Sequence, residues 1–274
     1  MTHVLARQER FAVVGSTNDV VRGWLADGTP EVCLAVADEQ TAGRGREGRS
    51  WVASPGCALL LSLDFRPGWL APDRVWRLAA VVSLAMVDAA EAVARLPDGT
   101  IRLKWPNDLV IEGPGGIGKV AGVLGETDGL GGPDPRAVIG LGVNTDWPAS
   151  TFPPDLQASM TSLRAAAGDR SIDGDQLLDA FVRRLDDGIV ALRDDRFDAG
   201  RWSARQVTSG RAVELIAPDG TVETVQARDV DAGTGALVVE DATAPGGVRQ
   251  VIVGEIRHVR LAAAVRPAAS RGGV

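Results

Sequence analysis

Apolar and polar positions along this chain alternate with two different periods, and the change of period lays out its elements. Val20, Val21, Trp24 and Leu25 recur at helical spacing behind Ser16 and Thr17, small hydroxyl residues of the kind that open helices. Apolar runs over residues 32–37 and 57–65 predict two buried strands. Residues 74–96 are apolar nearly all round, which predicts a long helix buried across a sheet. Shorter runs at 101–104, 109–111, 120–124 and 137–143, separated by Gly and Pro, predict further strands. Leu177, Leu178, Phe181, Val182 and Leu185 mark one face of a helix over 175–193. After Gln206 the period shortens to two, in RAVELIAP, ETVQARDVD, GALVVED and RQVIVGEI, with PDG, GTG and APGG between them. That pattern predicts a small antiparallel barrel. The expected organisation is a first domain over 1–205, a small β-barrel over 206–264 and a disordered tail over 265–274. No internal repeat is visible.

Composition narrows the function more than the fold. At 274 residues, 45% hydrophobic and 24% charged, the chain can bury an ordinary globular core. A net charge of −7 argues against nucleic-acid binding by broad attraction, so a local basic cluster must serve a small target. Cys33 and Cys57 both sit in apolar runs and read as reduced core thiols. His3 and His258 are the only histidines, which excludes a histidine-rich zinc site and argues against a Ser–His triad. The opening MTHVLARQERFAVV lacks the apolar centre of a signal peptide, and the longest apolar segment, 78–87, is roughly half a bilayer span. A soluble cytoplasmic protein is expected. Too few residues precede the first predicted helix for a helix-turn-helix domain, so DNA binding is not expected.

The chemistry concentrates in four segments. QTAGRGREGRSW, residues 40–51, sets Arg44, Arg46 and Arg49 among glycines between two apolar runs. Guanidinium forks suit bidentate contact with phosphate or carboxylate. Arginines this close repel one another, so the loop is expected to stay open until an anionic ligand orders it. KWPND at 104–108 joins a cation, an amide and a carboxylate at a turn fixed by Pro106. Lys119 stands at the mouth of a strand in KVAGVLGE, where Gly122 lets a ligand approach the backbone. GLGVN ends another strand in Asn144. Two apparent nucleotide motifs fail on context. Gly43 to Gly48 fits G-x-G-x-x-G, but a strand follows where a helix is required. Gly113 to Lys119 fits G-x-x-x-x-G-K, but Val120 stands where the magnesium-binding Ser or Thr belongs.

In this order GSTN, QTAGRGREGRSW, KWPND, KVAGVLGE and GLGVN resemble the catalytic domain of biotin protein ligases, over residues 15–261 with the terminal barrel included. The glycine-rich IEGPGGIG before Lys119 departs from the usual spacing. The resemblance implies an α+β fold: a mixed sheet with helices packed on one face, of the class II aminoacyl-tRNA-synthetase-like kind, plus an SH3-like barrel. It implies an ATP- and Mg2+-dependent ligase with magnesium carried on the ATP phosphates. Biotinyl-5′-AMP forms first, and biotin then passes to a lysine of a biotin carboxyl carrier protein or of the biotinyl domain of an acyl-CoA or pyruvate carboxylase. Carried over residue by residue, Lys119, Arg44 and Arg46 are expected at the reacting centre. Ser16, Thr17, Asn18, Gln40, Gly43, Gly45, Trp51 and Gly122 are expected with Arg44, Arg46 and Lys119 around biotin. Arg46, Arg49, Lys104, Asn107, Asp108 and Asn144 are expected around the nucleotide. The alternatives are a lipoate or octanoate ligase of related fold and a non-catalytic RNA-binding module. GRGRxGRxW followed by KWPND favours biotin, and an aromatic content of 4% without tyrosine leaves few platforms for stacking bases.

Overall fold

The apolar runs pair into two sheets. The computed structural model describes residues 4–113, 115–216, 221–252 and 258–261. The larger sheet holds β1 (Arg7–Val14), β2 (Cys33–Gln40), β3 (Ala58–Phe65), β4 (Ile101–Lys104), β5 (Asp108–Gly113), β6 (Gly116–Asp128) and β7 (Arg136–Asn144). Their order is β1-β2-β3-β7-β6-β5-β4, with β1 parallel to β2 and the other pairs antiparallel. Helices α1 (Thr17–Ala26), α2 (Trp76–Ala94), α3 (Leu163–Ala166), α4 (Gly174–Arg193) and α5 (Ala199–Ala204) complete a mixed α+β unit. The expected helices and strands are present. β1 was not foreseen, because as an edge strand it buries none of its residues fully and its sequence RQERFAVV shows no apolar face. β6 extends well beyond the expected 120–124, because the glycine-rich connection closes a hairpin in which Gly113 pairs with Gly116. Gly116 adopts φ 112°, open to glycine alone.

The two faces of this sheet differ. On one, Leu61, Leu63, Val123, Ile139 and Leu141 join a single core with α2 and α4. Asp173 caps α4, its carboxylate accepting the Asp175 and Gln176 N–H groups at 2.9 and 3.1 Å. The long helices cross so closely that a Cβ on Gly188 would lie 2.7 Å from Val81 Cγ1. α1 takes the opposite face, where Val21, Trp24 and Leu25 pack on Cys33, Ala35 and Val138. The long helices therefore share one face as expected, and the short helix marks the face that holds the site.

The smaller sheet contains β8 (Ala212–Ile216), β9 (Val222–Val230), β10 (Leu237–Glu240), β11 (Val248–Val251) and β12 (His258–Leu261), in the antiparallel order β11-β10-β9-β8-β12. It is compatible with an SH3-like barrel; the expected tail at 265–274 lies outside the described residues. The sheets are tied together through β4. Buried Arg205 grips Glu91 of α2 at 2.7 and 3.0 Å, and its carbonyl accepts the Leu103 N–H at 2.8 Å. The Trp105 indole N–H donates to Gly235 O at 2.9 Å. A buried pair of this kind is costly to break from one side, by about 3–5 kcal/mol.

Cys33 is buried and Cys57 half-buried, both as free thiols. Fully buried Asp64 of β3 accepts the Cys33 N–H at 2.7 Å. Burial pushes the Asp64 carboxyl from 3.8 up to about 6, against the lowering effect of that N–H, and pushes the Cys33 thiol up to about 12. Between those two carboxyl values the native state holds a proton that the unfolded chain has released, so stability falls as pH rises through the window. At neutral pH the charged form costs at most about 3 kcal/mol. Asp64→Asn keeps an acceptor and removes the charge. Urea unfolding from pH 4 to 7 is expected to show a gentler decline for the variant and a higher stability at pH 7. Parallel pH profiles for the two proteins would contradict this.

Candidate active site

The arginine–glycine segment folds into a small hairpin. Gly45 N–H donates to Arg49 O at 2.6 Å and Trp51 N–H to Gly43 O at 2.9 Å, around a single 3-10 turn at Arg46–Gly48. A Cβ on Gly43 would overlap the Trp51 carbonyl, so this glycine is set by close backbone approach. Arg44 has counter-charges within the chain. Its two nitrogens meet the Asp19 oxygens, each at 2.7 Å, and Glu126 lies 3.8 Å away. The Arg44 guanidinium holds the Asp19 carboxyl below the usual carboxylate range. Arg22 reaches the same two carboxylates at 2.9 and 2.7 Å. The expectation that the loop arginines find counter-charge only in a ligand is corrected for Arg44, whose anions come from α1 and β6.

A polar chain runs from α1 across the sheet. The Thr17 N–H donates to Gln40 Oε1 at 2.7 Å, and the Thr17 and Ser62 hydroxyls lie 2.6 Å apart. Ser62 donates to Asn18 Oδ1 at 2.6 Å, and Asn18 Nδ2 to Glu126 Oε2 at 2.7 Å. All of this needs space, which β7 provides by placing Gly140 and Gly142 on this face. A Cβ on Gly140 would overlap the Asn18 amide oxygen, and one on Gly142 would lie 2.5 Å from Trp51 Cε2. With Gly122 of β6, whose Cβ would lie 3.1 Å from Trp51 Cζ3, these glycines form a floor under the Trp51 ring.

Lys119 reaches this floor because β6 carries a bulge. Leu109 pairs with Ala121 but Val110 with Lys119, leaving Val120 as an extra residue. Lys119 therefore shares a face with Gly122, although strict alternation would turn it toward the α2 core. Its Nζ lies 2.7 Å from Asp108 Oδ1 and 5.4 Å from the Trp51 ring centroid. Asn144 Nδ2 donates to Lys119 O at 3.3 Å and Thr161 O at 2.9 Å.

Ser16, Thr17, Asn18, Gln40, Arg44, Gly45, Arg46, Trp51, Asn107, Lys119 and Gly122 thus line one cleft. Five of the expected residues do not. Gly43 is buried within the hairpin, Arg49 is exposed on it, and Asn144 spends its amide N–H groups on backbone carbonyls. Lys104 lines a second cavity of about 420 Å3 between α2, the KWPND turn and the smaller sheet. Asp108 borders that cavity too, while Arg46 and Asn107, linked at 3.5 Å, border both. Gly140, Gly142 and Glu126 stand in the motifs GLGVN and KVAGVLGE but were given no place at the site, and Asp19 and Ser62 were not foreseen. The glycines alternate with apolar residues in β7, a signal that could have found them.

A concave site of hydroxyls, amides, two arginines and a lysine, floored by glycine and roofed by tryptophan, defines an enzyme that takes a small anionic molecule. Residues 11–144 match the biotin/lipoate A/B protein ligase family. The chain is 32% identical over 254 residues to a biotin--[acetyl-CoA-carboxylase] ligase of Mycobacterium tuberculosis, covering 91% of this chain and 88% of that one. It is 34% identical over 238 residues to the protein of the same name from Paracoccus denitrificans, covering 83% and 90%. In fold it resembles a biotin protein ligase from Aquifex aeolicus solved with biotin and ATP, at a TM-score of 0.75 and 23% identity, covering 94% of this chain and all of that one. The chain belongs to the biotin/lipoate ligase family.

The glycine floor generates a prediction. Gly142→Ala is expected to displace Trp51 and loosen the hairpin while leaving the buried core alone. Limited trypsin digestion should then cut after Arg44, Arg46 or Arg49 several times faster, with the melting temperature little changed. Unaltered cleavage would show that Trp51 does not depend on Gly142.

Proposed function

We propose that this protein is a biotin–protein ligase, which joins biotin to AMP and then passes it to a lysine of a biotin carboxyl carrier domain. The supporting observation is the convergence of Lys119 and Arg46 on a cleft otherwise lined by Ser16, Thr17, Asn18 and Gln40. The hydroxyls and amides match a ureido ring, which needs both donors and acceptors. The cations match the meeting point of a carboxylate and a polyphosphate. We read residues 1–205 as the catalytic unit and 206–264 as the small unit beside it.

In the first step a biotin carboxylate oxygen attacks the α-phosphorus of ATP and pyrophosphate leaves with the bonding electrons. Two anions must approach, and Lys119 and Arg46 offset that repulsion and stabilise the charge gathering on phosphoryl oxygens. Asp108 holds the Lys119 ammonium in place. No cluster of three or more His, Cys, Asp or Glu capable of holding a metal occurs among the described residues. Magnesium brought on the ATP phosphates would supply charge neutralisation, and Asn107 and Asp108 are the residues that would hold it. Trp51 closes the cleft against water. In the second step the acceptor amine attacks the acyl carbon. The C–O bond to the phosphate breaks, AMP departs with the electron pair, and two protons pass from the ammonium to solvent.

Among the described residues no helix is long and apolar enough to cross a membrane. The acceptor and the reaction itself follow the chemistry of the cleft, with a cytoplasmic setting as part of the same reading.

Exchange of radiolabelled pyrophosphate into ATP tests the first step. It is expected with biotin and not with lipoate; exchange with lipoate alone would move the protein to the other branch of the family. Lys119→Ala should lower biotin-dependent exchange by about 100- to 1,000-fold, the cost of losing one preorganised charge-stabilising donor. Its melting temperature should hold, because Lys119 is partly exposed on a bulge and fills no core space. Normal exchange by Lys119→Ala would remove it from the mechanism.

A further inference from the structure

Two residues of the polar chain lie outside the cleft that it serves. Ser62 of β3 and Glu126 of β6 line neither cavity, yet Asn18 joins one to the other. Ser62 is fully buried, and Thr17 and Asn18 nearly so. Protons in such a chain can run in either direction, because a hydroxyl both donates and accepts and an amide can turn over. A carboxylate removes that freedom, since it only accepts. Glu126 Oε2 takes the Asn18 Nδ2 hydrogen at 2.7 Å and so turns the amide oxygen toward Ser62. The Ser62 proton is committed to Asn18 Oδ1 at 2.6 Å, which leaves its oxygen to accept from Thr17. Gln40 Oε1, which already accepts the Thr17 N–H at 2.7 Å, is the other acceptor open to the Thr17 hydroxyl, at 3.0 Å. Whichever oxygen takes that proton, Thr17 offers the cleft a lone pair, and Gln40 offers its amide N–H groups.

From this order we infer that Glu126 is a positioning residue that sets which groups of the biotin site accept and which donate, without lining the cleft. The inference rests on the proposed ligase reading and adds what makes Thr17 an acceptor for a ring N–H of the ureido group. Without Glu126 the Asn18 amide is free to turn over and offer Nδ2 to the Ser62 oxygen. The Ser62 proton then swings to the Thr17 oxygen and occupies the lone pair that the ligand N–H would use. A donor buried in the cleft without its acceptor is costly. Glu126 also meets Arg22 at 2.7 Å and Arg44 at 3.8 Å, which gives it a rival role through its charge alone. One detail separates the two roles: the Asn18 and Arg22 hydrogens both go to Oε2. A glutamine with its oxygen at that position keeps the order of protons and loses the charge.

The test is the KM for biotin in biotin-dependent pyrophosphate exchange, compared with kcat at saturating biotin. Glu126→Ala is expected to raise that KM about tenfold, as the loss of one hydrogen bond does, and to leave kcat within about threefold. Glu126→Gln should hold KM within about threefold of the parent. Arg22→Ala should do the same, because it loosens the charged cluster and leaves the Asn18–Glu126 bond intact. Ser62→Ala removes the proton that would swing to Thr17, so adding Glu126→Ala in that background should raise KM no further. An unchanged KM in Glu126→Ala would overturn the inference. A KM in Glu126→Gln or Arg22→Ala as high as that of Glu126→Ala would overturn it too, since charge beside the hairpin would then be the cause. Additive losses in the Glu126→Ala and Ser62→Ala double variant would count against it equally. Failure of the ligase reading shows elsewhere, as absence of biotin-dependent exchange in the parent protein.

Discussion

The site depends on one constraint: β7 must be apolar on one face and almost bare on the other. Its sequence alternates Ala137, Ile139, Leu141 and Val143 with Val138, Gly140, Gly142 and Asn144. The first set joins the α2–α4 core, and that burial holds the sheet in place. The second set leaves a floor on which the Asn18 amide and the Trp51 ring lie at distances that any Cβ would prevent. A glycine inside a strand ordinarily weakens it. Here the loss is offset by the opposite face and by neighbours on both sides, since β7 sits between β3 and β6.

Everything else at the site is arranged relative to that floor. α1 sits on the bare side and turns Thr17 and Asn18 onto it. The bulge at Val120 brings Lys119 to the same side, where Asp108, paired opposite Gly122, receives its ammonium. These are separate devices, a helix start and a strand irregularity, that converge because both are registered against one sheet. A shift of one residue in β6 would turn every one of its side chains to the wrong face. The two covers of the sheet differ in kind as well: two long helices on one side, and on the other the short α1 beside a hairpin and a single tryptophan.

Much of this was legible in the sequence, for reasons that follow from period. Strands and helices with continuous apolar runs, such as β3 and α2, announce themselves. The arginine loop and KWPND stand out because charges and glycines or prolines break those runs. Three features were not legible. β1 carries no pattern because an edge strand need not bury a face. The bulge adds a residue without changing composition, so nothing in KVAGVLGE marks that Lys119 and Gly122 share a face. The counter-charges of Arg44 lie at Asp19 and Glu126, distant in sequence, and only the register of β6 against β7 and the seat of α1 bring them together. For that reason Arg44 does not wait for a ligand to supply its counter-charge.

The electrostatics of the hairpin then divide its arginines by task. Arg44 and its partners are each more than a third exposed or close to it, at 35% for the arginine and 49% for Asp19. Exposed pairs contribute about 0–1 kcal/mol and weaken with salt, so this one sets the hairpin's resting position without locking it. Arg46 stands elsewhere, on the wall between the two cavities, where its guanidinium meets Asn107. Asn107 is itself fixed to β6, donating through its side chain to Val123 O and accepting the Val123 N–H at its own carbonyl, each at 2.9 Å. A cation placed against so rigid a post borders both cavities from one position. In the proposed reaction its charge is held by that post close to where the carboxylate and the phosphate meet, so less of the hairpin has to be ordered when the nucleotide binds.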